Sequence, residues 1–470
     1  MASRVEAIYN RLPVFAQNWA CSLEGWRINR SRYDRTFSRM LDDATERANW
    51  SVEQIYEWRD RRLVAFLKQT VRSTPYYREQ ARRAEFDIDG VKGLDDLPKL
   101  PVLERRIVQS RNSEFEAELN DREPTQIAHT SGTTGGGLRF PVIRSAGIEQ
   151  WAVWWRYRYW HKIERSEWCA YFGGRAIMPP GIQTAPFWRV NVPGRQIMFS
   201  AYHLREESAV AYLSEIKRRG IRWLHGYPSQ LALLAKLAYE NSFNLRDQMR
   251  WITIGAESLL EQQAAVIKKV FGRAPIQHYG MAEGVANISE RPDGILVVDE
   301  DFAAVEFVPS SSGGWKILGT NLSNPAFPLI RYEVGDLADL IPGETAPEGE
   351  AFAGCRVVRN IDGRRDDYVI LANGTKVGRL DHIFKDLVEV REAQIVQNRI
   401  GAITVKLVPG DGFDEVVEKR LKAEIVDRLG ADITVDVQYV NELVRTKRGK
   451  LRFVISSLTE GGIELNGSGH

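Results

Sequence analysis

Hydrophobic spacing along the chain changes character twice. Up to about residue 120 the apolar positions keep helical spacing. In Arg61–Val71, Leu63, Phe66, Leu67 and Val71 fall on one face, which predicts a packed helix. Ser73-Thr74-Pro75 ends it, because a residue before proline is pushed out of the helical region. Glu149–Lys162 is dense in rings: Trp151, Trp154, Trp155, Tyr157, Tyr159 and Trp160. The i, i+3, i+4 placing of the first three predicts a helix with its aromatics in the core; direct contact with a substrate is the alternative.

From residue 168 short apolar runs alternate with helical segments. Strands are expected at Trp168–Phe172, Gln196–Ser200, Ile221–Leu224, Trp251–Ile254 and Pro275–His278, and helices at Glu206–Arg219, Gln230–Tyr239 and Leu259–Phe271. Such alternation predicts a parallel sheet with helices on both faces, and ligands in such sheets gather beyond the C-terminal strand ends. Three glycine-bearing turns fall at those ends: His225–Ser229, Gly255–Ser258 and Tyr279–Gly284. Residues 295–358 are strand-rich with Gly and Pro turns, which suggests a smaller β subdomain. After Gly363–Asp367 the composition shifts again. Strands are expected at Ala393–Gln397, Ala402–Val408 and Ile433–Val440, and a helix over Phe413–Leu429 with Val416, Val417, Leu421, Ile425 and Leu429 inward.

The expected class is therefore α/β. A large N-terminal domain with a mostly parallel, helix-flanked sheet and a β subdomain precedes a small α+β C-terminal domain. The expected division is a helical region over 1–120, a core over 121–365, a small domain over 366–460 and a flexible tail or cloning scar over 461–470. A chain of 470 residues exceeds one compact core. Its 64 basic and 62 acidic residues give no basic surplus of the kind nucleic-acid binders carry. Cys21, Cys169 and Cys355 offer neither a disulfide framework nor zinc spacing, which fits a reducing cytoplasm. No apolar run is long enough to span a membrane, and the first residues lack the apolar stretch of a signal peptide.

Candidate chemistry enters with Ala128–Phe140, AHTSGTTGGGLRF. Hydroxyls and glycines concentrate N–H and O–H donors on a backbone that can approach phosphate oxygens closely. The stretch lacks the Lys of a Walker loop. Taken alone it reads equally well as a surface hairpin.

In series with other motifs, however, Thr130-Ser131-Gly132-Thr133-Thr134-Gly135 resembles the phosphate loop of the adenylate-forming superfamily. His278-Tyr279-Gly280-Met281-Ala282-Glu283 resembles that family's Tyr-Gly-x-Thr-Glu turn, although Ala282 lacks the usual hydroxyl. Ala256-Glu257 stands where the family contacts adenine. Arg331–Asp336 resembles its aromatic-x-x-Gly-Asp motif, Gly363–Asp367 its domain hinge, and Arg445–Arg452 its Thr-x-x-Gly-Lys ending. The STPYYR and LDDLPKLPVL segments are similar to the phenylacetate-CoA ligase and CapK-type branch. So are Phe172–Arg175, the 225–230 loop and Glu392–Gln397, and the resemblance runs over roughly 60–460. Read singly, the glycine turns are routine and the C-terminal basic run is a solvated patch. Five motifs in family order carry the resemblance.

The resemblance implies an ATP-dependent ligase that activates a small-molecule carboxylic acid as an acyl-adenylate and passes it to a thiol, coenzyme A or a carrier-protein pantetheine. An amine or hydroxyl acceptor is the alternative, and a nucleotide-binding protein without turnover a second. Tyr279 would stack on adenine, Asp336 take the ribose hydroxyls, Arg364 donate to the ribose and Glu283 hold Mg²⁺. Lys450 would bridge carboxylate and phosphate, and Asp366 would be the pivot of a mobile C-terminal domain. Arg139 replaces the Lys that many relatives place after the loop. Tyr202 and His203 are candidates beside the substrate carboxylate, and the acyl pocket is expected from Ala201–His203, the 225–229 loop with Tyr227, Ile254, Gly255, Ala256 and Gly280–Val285 with Ala282.

Overall fold

The computed structural model describes residues 4–83, 88–119, 123–130, 138–174, 177–179, 182–310, 314–362, 369–373, 376–377, 380–384, 387, 389–410, 412–430, 432–441, 443 and 453–458. The chain opens with helices Arg4–Arg11 (α1), Val14–Arg32 (α2), Arg35–Arg47 (α3), Val52–Ser73 (α4), Pro75–Arg82 (α5) and Arg105–Ser110 (α6). Ser51 and Gln54 close a reciprocal capping box on α4, and Thr74, extended at φ −112°, separates α4 from α5. Leu63, Phe66 and Leu67 are buried as their spacing predicts.

A hairpin, Thr125–His129 (β1) with Arg139–Ile143 (β2), leads into the aromatic helix Arg144–Trp160 (α7). Five strands then form one sheet: Cys169–Gly173 (β3), Trp188–Asn191 (β4), Gln196–Ser200 (β5), Trp223–Gly226 (β6) and Trp251–Ile254 (β7), in the order β4-β5-β3-β6-β7. All neighbours are parallel except the edge strand β4. Alternate side chains divide the two faces. Ala170, Phe172, Leu224, Ile252 and Ile254 join a core with helices Glu206–Arg218 (α8), Pro228–Glu240 (α9) and Glu261–Phe271 (α10). Cys169 and Trp223 pack against α3 and α7 through Phe37, Leu41, Ala152 and Trp155. The helix-on-both-faces expectation holds.

The strand expected at Pro275–His278 is a correction. Only Ile276 bridges the parallel sheet, at Thr253, while His278–Gly280 (β8) turns away to pair antiparallel with Asn287–Glu290 (β9). That switch bends the Tyr-Gly turn across the end of β7. Strand β9 continues to Leu296–Val298 (β10), and a second antiparallel sheet joins Ala303–Pro309 (β11), Trp315–Asn321 (β12) and Tyr332–Asp339 (β13).

The residues from 369 on have their own core. A hairpin of Val390–Arg399 and Ala402–Pro409 is flanked by Thr434–Tyr439 and Val454–Ser456, and helix Glu415–Leu429 belongs to the same core. Val417, Leu421, Ile425 and Leu429 face inward, but Val416 is 64% exposed. It stands in the first turn beyond the Asp414 cap, one position off the buried face, so the expected inward list was one residue too wide. Among the described residues no helix is long and apolar enough to cross a membrane.

A buried ionic cluster ties the N-terminal helices to the β region. Asp299, Glu300 and Asp301 are all fully buried. Arg156 reaches Asp299 at 2.7 Å and Asp301 at 2.8 Å, and Arg47 reaches Asp301 at 2.8 Å. Arg59 pairs with Glu300 at 2.7 Å and Arg356 pairs with the same carboxylate at 2.5 Å. Ser289 Oγ also donates to Asp299, at 2.7 Å. The charges are expensive to desolvate but are matched and hydrogen-bonded, the condition under which they are tolerated.

Candidate active site

The ends of the Gly-rich loop are pinned together. The Thr130 amide donates to the Leu138 carbonyl at 2.9 Å, and the Leu138 amide donates back to Thr130 Oγ1 at 2.9 Å. The loop positions Ser131, Gly132, Thr133, Thr134 and Gly135 lie outside the described residues. So do Arg364, Asp366 and Lys450. Arg139, in β2, is exposed opposite His129.

Beside the loop base opens a cavity of about 290 Å³, near the lower end of ligand-site volumes. It gathers Thr130, Gly255, Ala256, Glu257, His278, Tyr279, Gly280, Met281, Ala282, Glu283 and Asp336. Those positions are scattered over some 200 residues of sequence, and the ends of β7 and β8 with β13 bring them to one cavity.

Arg105 is a charged lining residue that sequence reasoning missed. Its backbone is set by Leu103, which exchanges backbone hydrogen bonds with Arg331 and Glu333 at the start of β13. The guanidinium then turns into the cavity. Nη2 donates to Thr130 Oγ1 at 3.1 Å, and Nη1 stands 4.0 Å from the Glu283 carboxylate. Nε is buried without a hydrogen-bond partner. Glu283 itself is only 7% exposed. A cation and a carboxylate therefore face each other across a gap too long for a hydrogen bond, beside a hydroxyl. In the sequence Arg105 stands in the charged run Glu104-Arg105-Arg106, for which a solvated face is the ordinary reading.

Also on the cavity, Tyr279 Oη donates to Asp336 at 2.9 Å. Asp336 follows Gly335, whose φ of +87° suits glycine, where β12–β13 pairing is irregular between Lys316 and Leu318. Gly280 leaves no room for a side chain: a Cβ would stand 2.7 Å from Asn287 Oδ1 and 3.1 Å from Trp154 Nε1. Trp154 donates to that Asn287 oxygen at 3.0 Å, so α7 buttresses the turn from behind. None of the aromatic side chains of α7 lines the cavity, and their core role is the one observed.

His278 stacks on Tyr157 with centroids 4.5 Å apart. Burial and the nearby Arg158 guanidinium push its pKa down to about 3, so it is neutral at ordinary pH and is no proton donor there. At the end of β7, Ala256 holds φ +67°, a conformation that costs a non-glycine residue about 1–3 kcal/mol and concentrates at functional sites. Glu257 accepts from the Ser229 amide at 3.2 Å, at the N-terminus of α9.

Three candidates are not brought to the cavity. His203 is 1% exposed, with Nδ1 2.7 Å from Ser200 Oγ and its ring stacked on Phe187. Tyr202 donates to the Gly174 carbonyl at 3.0 Å and packs against the core formed from residue 369 on. Tyr227 stands at the N-cap of α9. Ala201–His203 and 225–229 do not line this cavity, whereas Arg105, His129 and Ser258 do. The short helical turn Ala201–His203 directs its side chains into the protein instead.

The CapK C-terminal domain model matches residues 369–457. The CapK protein of Staphylococcus aureus is 24% identical over 459 residues, covering 96% of this chain and 99% of its own length. The phenylacetate-coenzyme A ligase of Thermus thermophilus is 24% identical, covering 85% of this chain and 95% of its own. Among solved structures, 2-hydroxyisobutyryl-CoA ligase with 2-HIB-AMP and CoA in the thioesterification state superposes with a TM-score of 0.51 at 17% identity, covering 86% of this chain and 90% of that one. That likeness establishes the fold.

Proposed function

For a chain that belongs to the adenylate-forming superfamily, in its CapK-like and phenylacetate-CoA ligase-like branch, we propose ATP-dependent activation of a carboxylic acid followed by transfer of the acyl group to a thiol. The observation that carries the reading is the single cavity that gathers Arg105, Thr130 and Glu283 with the hydrogen-bonded pair Tyr279 and Asp336.

The substrate carboxylate attacks the α-phosphorus of ATP, the bond to the β-phosphate oxygen breaks, and pyrophosphate leaves. Arg105, whose Glu283 contact is 4.0 Å, takes phosphate oxygens without first breaking a tight ion pair. Arg105 thereby offers the charge that the loop, lacking a Lys, does not. The amides of Ser131–Gly135 and Lys450 add donors as charge builds on phosphorus. Asp336, already an acceptor from Tyr279, takes ribose hydroxyls, with Arg364 as a further donor. Tyr279 provides the adenine stack, and Ala256 and Glu257 border the base.

Glu283, on the cavity wall, is the residue that would hold Mg²⁺, which would supply neutralisation of phosphate charge. Rotation about Asp366 then admits the acceptor, coenzyme A or a carrier pantetheine. The thiolate attacks the acyl carbon and AMP leaves. The setting we propose is the cytoplasm.

The test is carboxylate-dependent ATP–pyrophosphate exchange over a panel of aryl, fatty and amino acids, with Lys450→Ala alongside. Exchange with one acid class that collapses in the variant supports adenylation; ATP binding with no exchange for any acid overturns it. Coenzyme A, amines and sugars added in turn distinguish a thiol acceptor from an amine or hydroxyl.

A further inference from the structure

Helix α2 is turned inside out. Its polar side chains face the protein: Asn18 accepts from the Val190 amide at 2.9 Å, and Ser22 Oγ donates to the Val190 carbonyl at 3.2 Å and accepts from the Val192 amide at 3.2 Å. Gln17, 3% exposed, accepts from Arg189, and Asn29 donates to the Pro193 carbonyl. These side chains satisfy the open edge of β4, the outermost strand of its sheet. That task explains the inward polar face. It leaves the outward face free to be polar as well, and that face is not.

Phe15, Trp19, Leu23 and Trp26, spaced four, four and three residues apart, are 68%, 76%, 67% and 51% exposed. Ile8 and Leu12 precede them at 62% and 37%. Single exposed apolar residues need no explanation, but a row of this size marks a contact surface.

Charge selects the occupant. Arg11, Arg27 and Arg30 are exposed beside the row, and the Arg30 guanidinium lies 5.5 Å from the Trp26 ring. Helix α2 has one acid, Glu24, tied to Arg27 at 2.7 Å. Residues 1–40 carry seven arginines and three acids in a chain whose net charge is only +2. A second copy docking through this face would set one basic arm against another. An anionic lipid surface would receive the Trp, Phe and Leu side chains at the acyl boundary and the guanidiniums among its headgroups. We propose that α1 and α2 dock the protein in the plane of an anionic phospholipid membrane. The inference is independent of the proposed chemistry.

Co-sedimentation of the full chain with phosphatidylcholine vesicles containing about 30 mol% phosphatidylglycerol tests it, with pure phosphatidylcholine as control. The expected result is binding to the anionic vesicles that exceeds binding to the neutral ones by about ten-fold or more and weakens with salt. Trp19→Ser with Leu23→Ser and Trp26→Ser, all at exposed positions, should abolish it while pyrophosphate exchange in solution is unchanged. Arg27→Gln and Arg30→Gln should each weaken it about five-fold. No binding at low salt overturns the proposal, as does equal binding by the triple variant. So does a dimer that forms without vesicles and is broken by the triple variant, since the occupant would then be a second copy.

Discussion

Two groups of opposed charges, both built on arginine, have opposite characters. Around Arg156 the carboxylates of Asp299 and Asp301 approach to 2.7 and 2.8 Å, and both acids are fully buried. Around Arg105 the nearest carboxylate stays at 4.0 Å, and both groups line a cavity. The first group pairs its charges at hydrogen-bond distance within the fold, although Arg156 Nε also lacks a partner. The second holds its charges apart at a cavity. A buried charge therefore identifies a site less well than one whose counter-charge stands beyond hydrogen-bond reach at a cavity wall.

The largest expected effect breaks the first group. Asp301→Ala strands Arg47 and removes one of the two carboxylates on Arg156, and should cost about 3–5 kcal/mol of unfolding free energy in urea titration. The folded fraction should keep its pyrophosphate-exchange activity. Arg105→Ala reverses the pattern: exchange should fall about 10²–10³-fold, while stability changes by less than about 1 kcal/mol. If both variants lost stability and activity together, the contrast would be void. Tyr279→Phe removes one donor to Asp336 and should change the KM for ATP by only about ten-fold, leaving the fold intact.

A smaller effect is read by pH. Burial pushes both His225 and His278 down to about 3. Unfolded histidines take up protons near their ordinary value and these do not, so their contribution is full at neutral pH and is lost as pH falls toward about 3. Burial pushes Glu290 the other way, to about 7. Its contribution is present at low pH and lost as pH rises through about 7. The two oppose each other between pH 7 and 5, so Glu290→Gln should steepen the loss of urea midpoint over that interval. An unchanged slope would show that Glu290 does not hold its proton in the folded chain.

Sequence reasoning located the strand ends well because it rests on local period. Gln196–Ser200 and Trp251–Ile254 are both strands with the expected bounds. The Tyr279–Glu283 turn, Ala256 and Asp336 reach one cavity from separate motifs. What sequence could not carry was direction. His203 and Tyr202 sit in a likely-looking segment, yet a short helical turn rotates them into packing. Arg105 reads as one more surface charge until Leu103 pairs with β13 more than 200 residues away. The acidic run Asp299–Asp301 likewise gives no local hint of burial, because its partners come from α3, α4, α7 and residue 356.

The most direct test of the contrast is pyrophosphate exchange by the wild-type chain and by Glu283→Gln, with a urea unfolding curve on each. Glu283 forms the far side of the open pair, and the variant keeps its size while removing its charge. Exchange should drop by about two orders of magnitude with the unfolding midpoint nearly unmoved. Undiminished exchange in a folded Glu283→Gln chain would contradict the assignment of this cavity as the place where the carboxylate is activated.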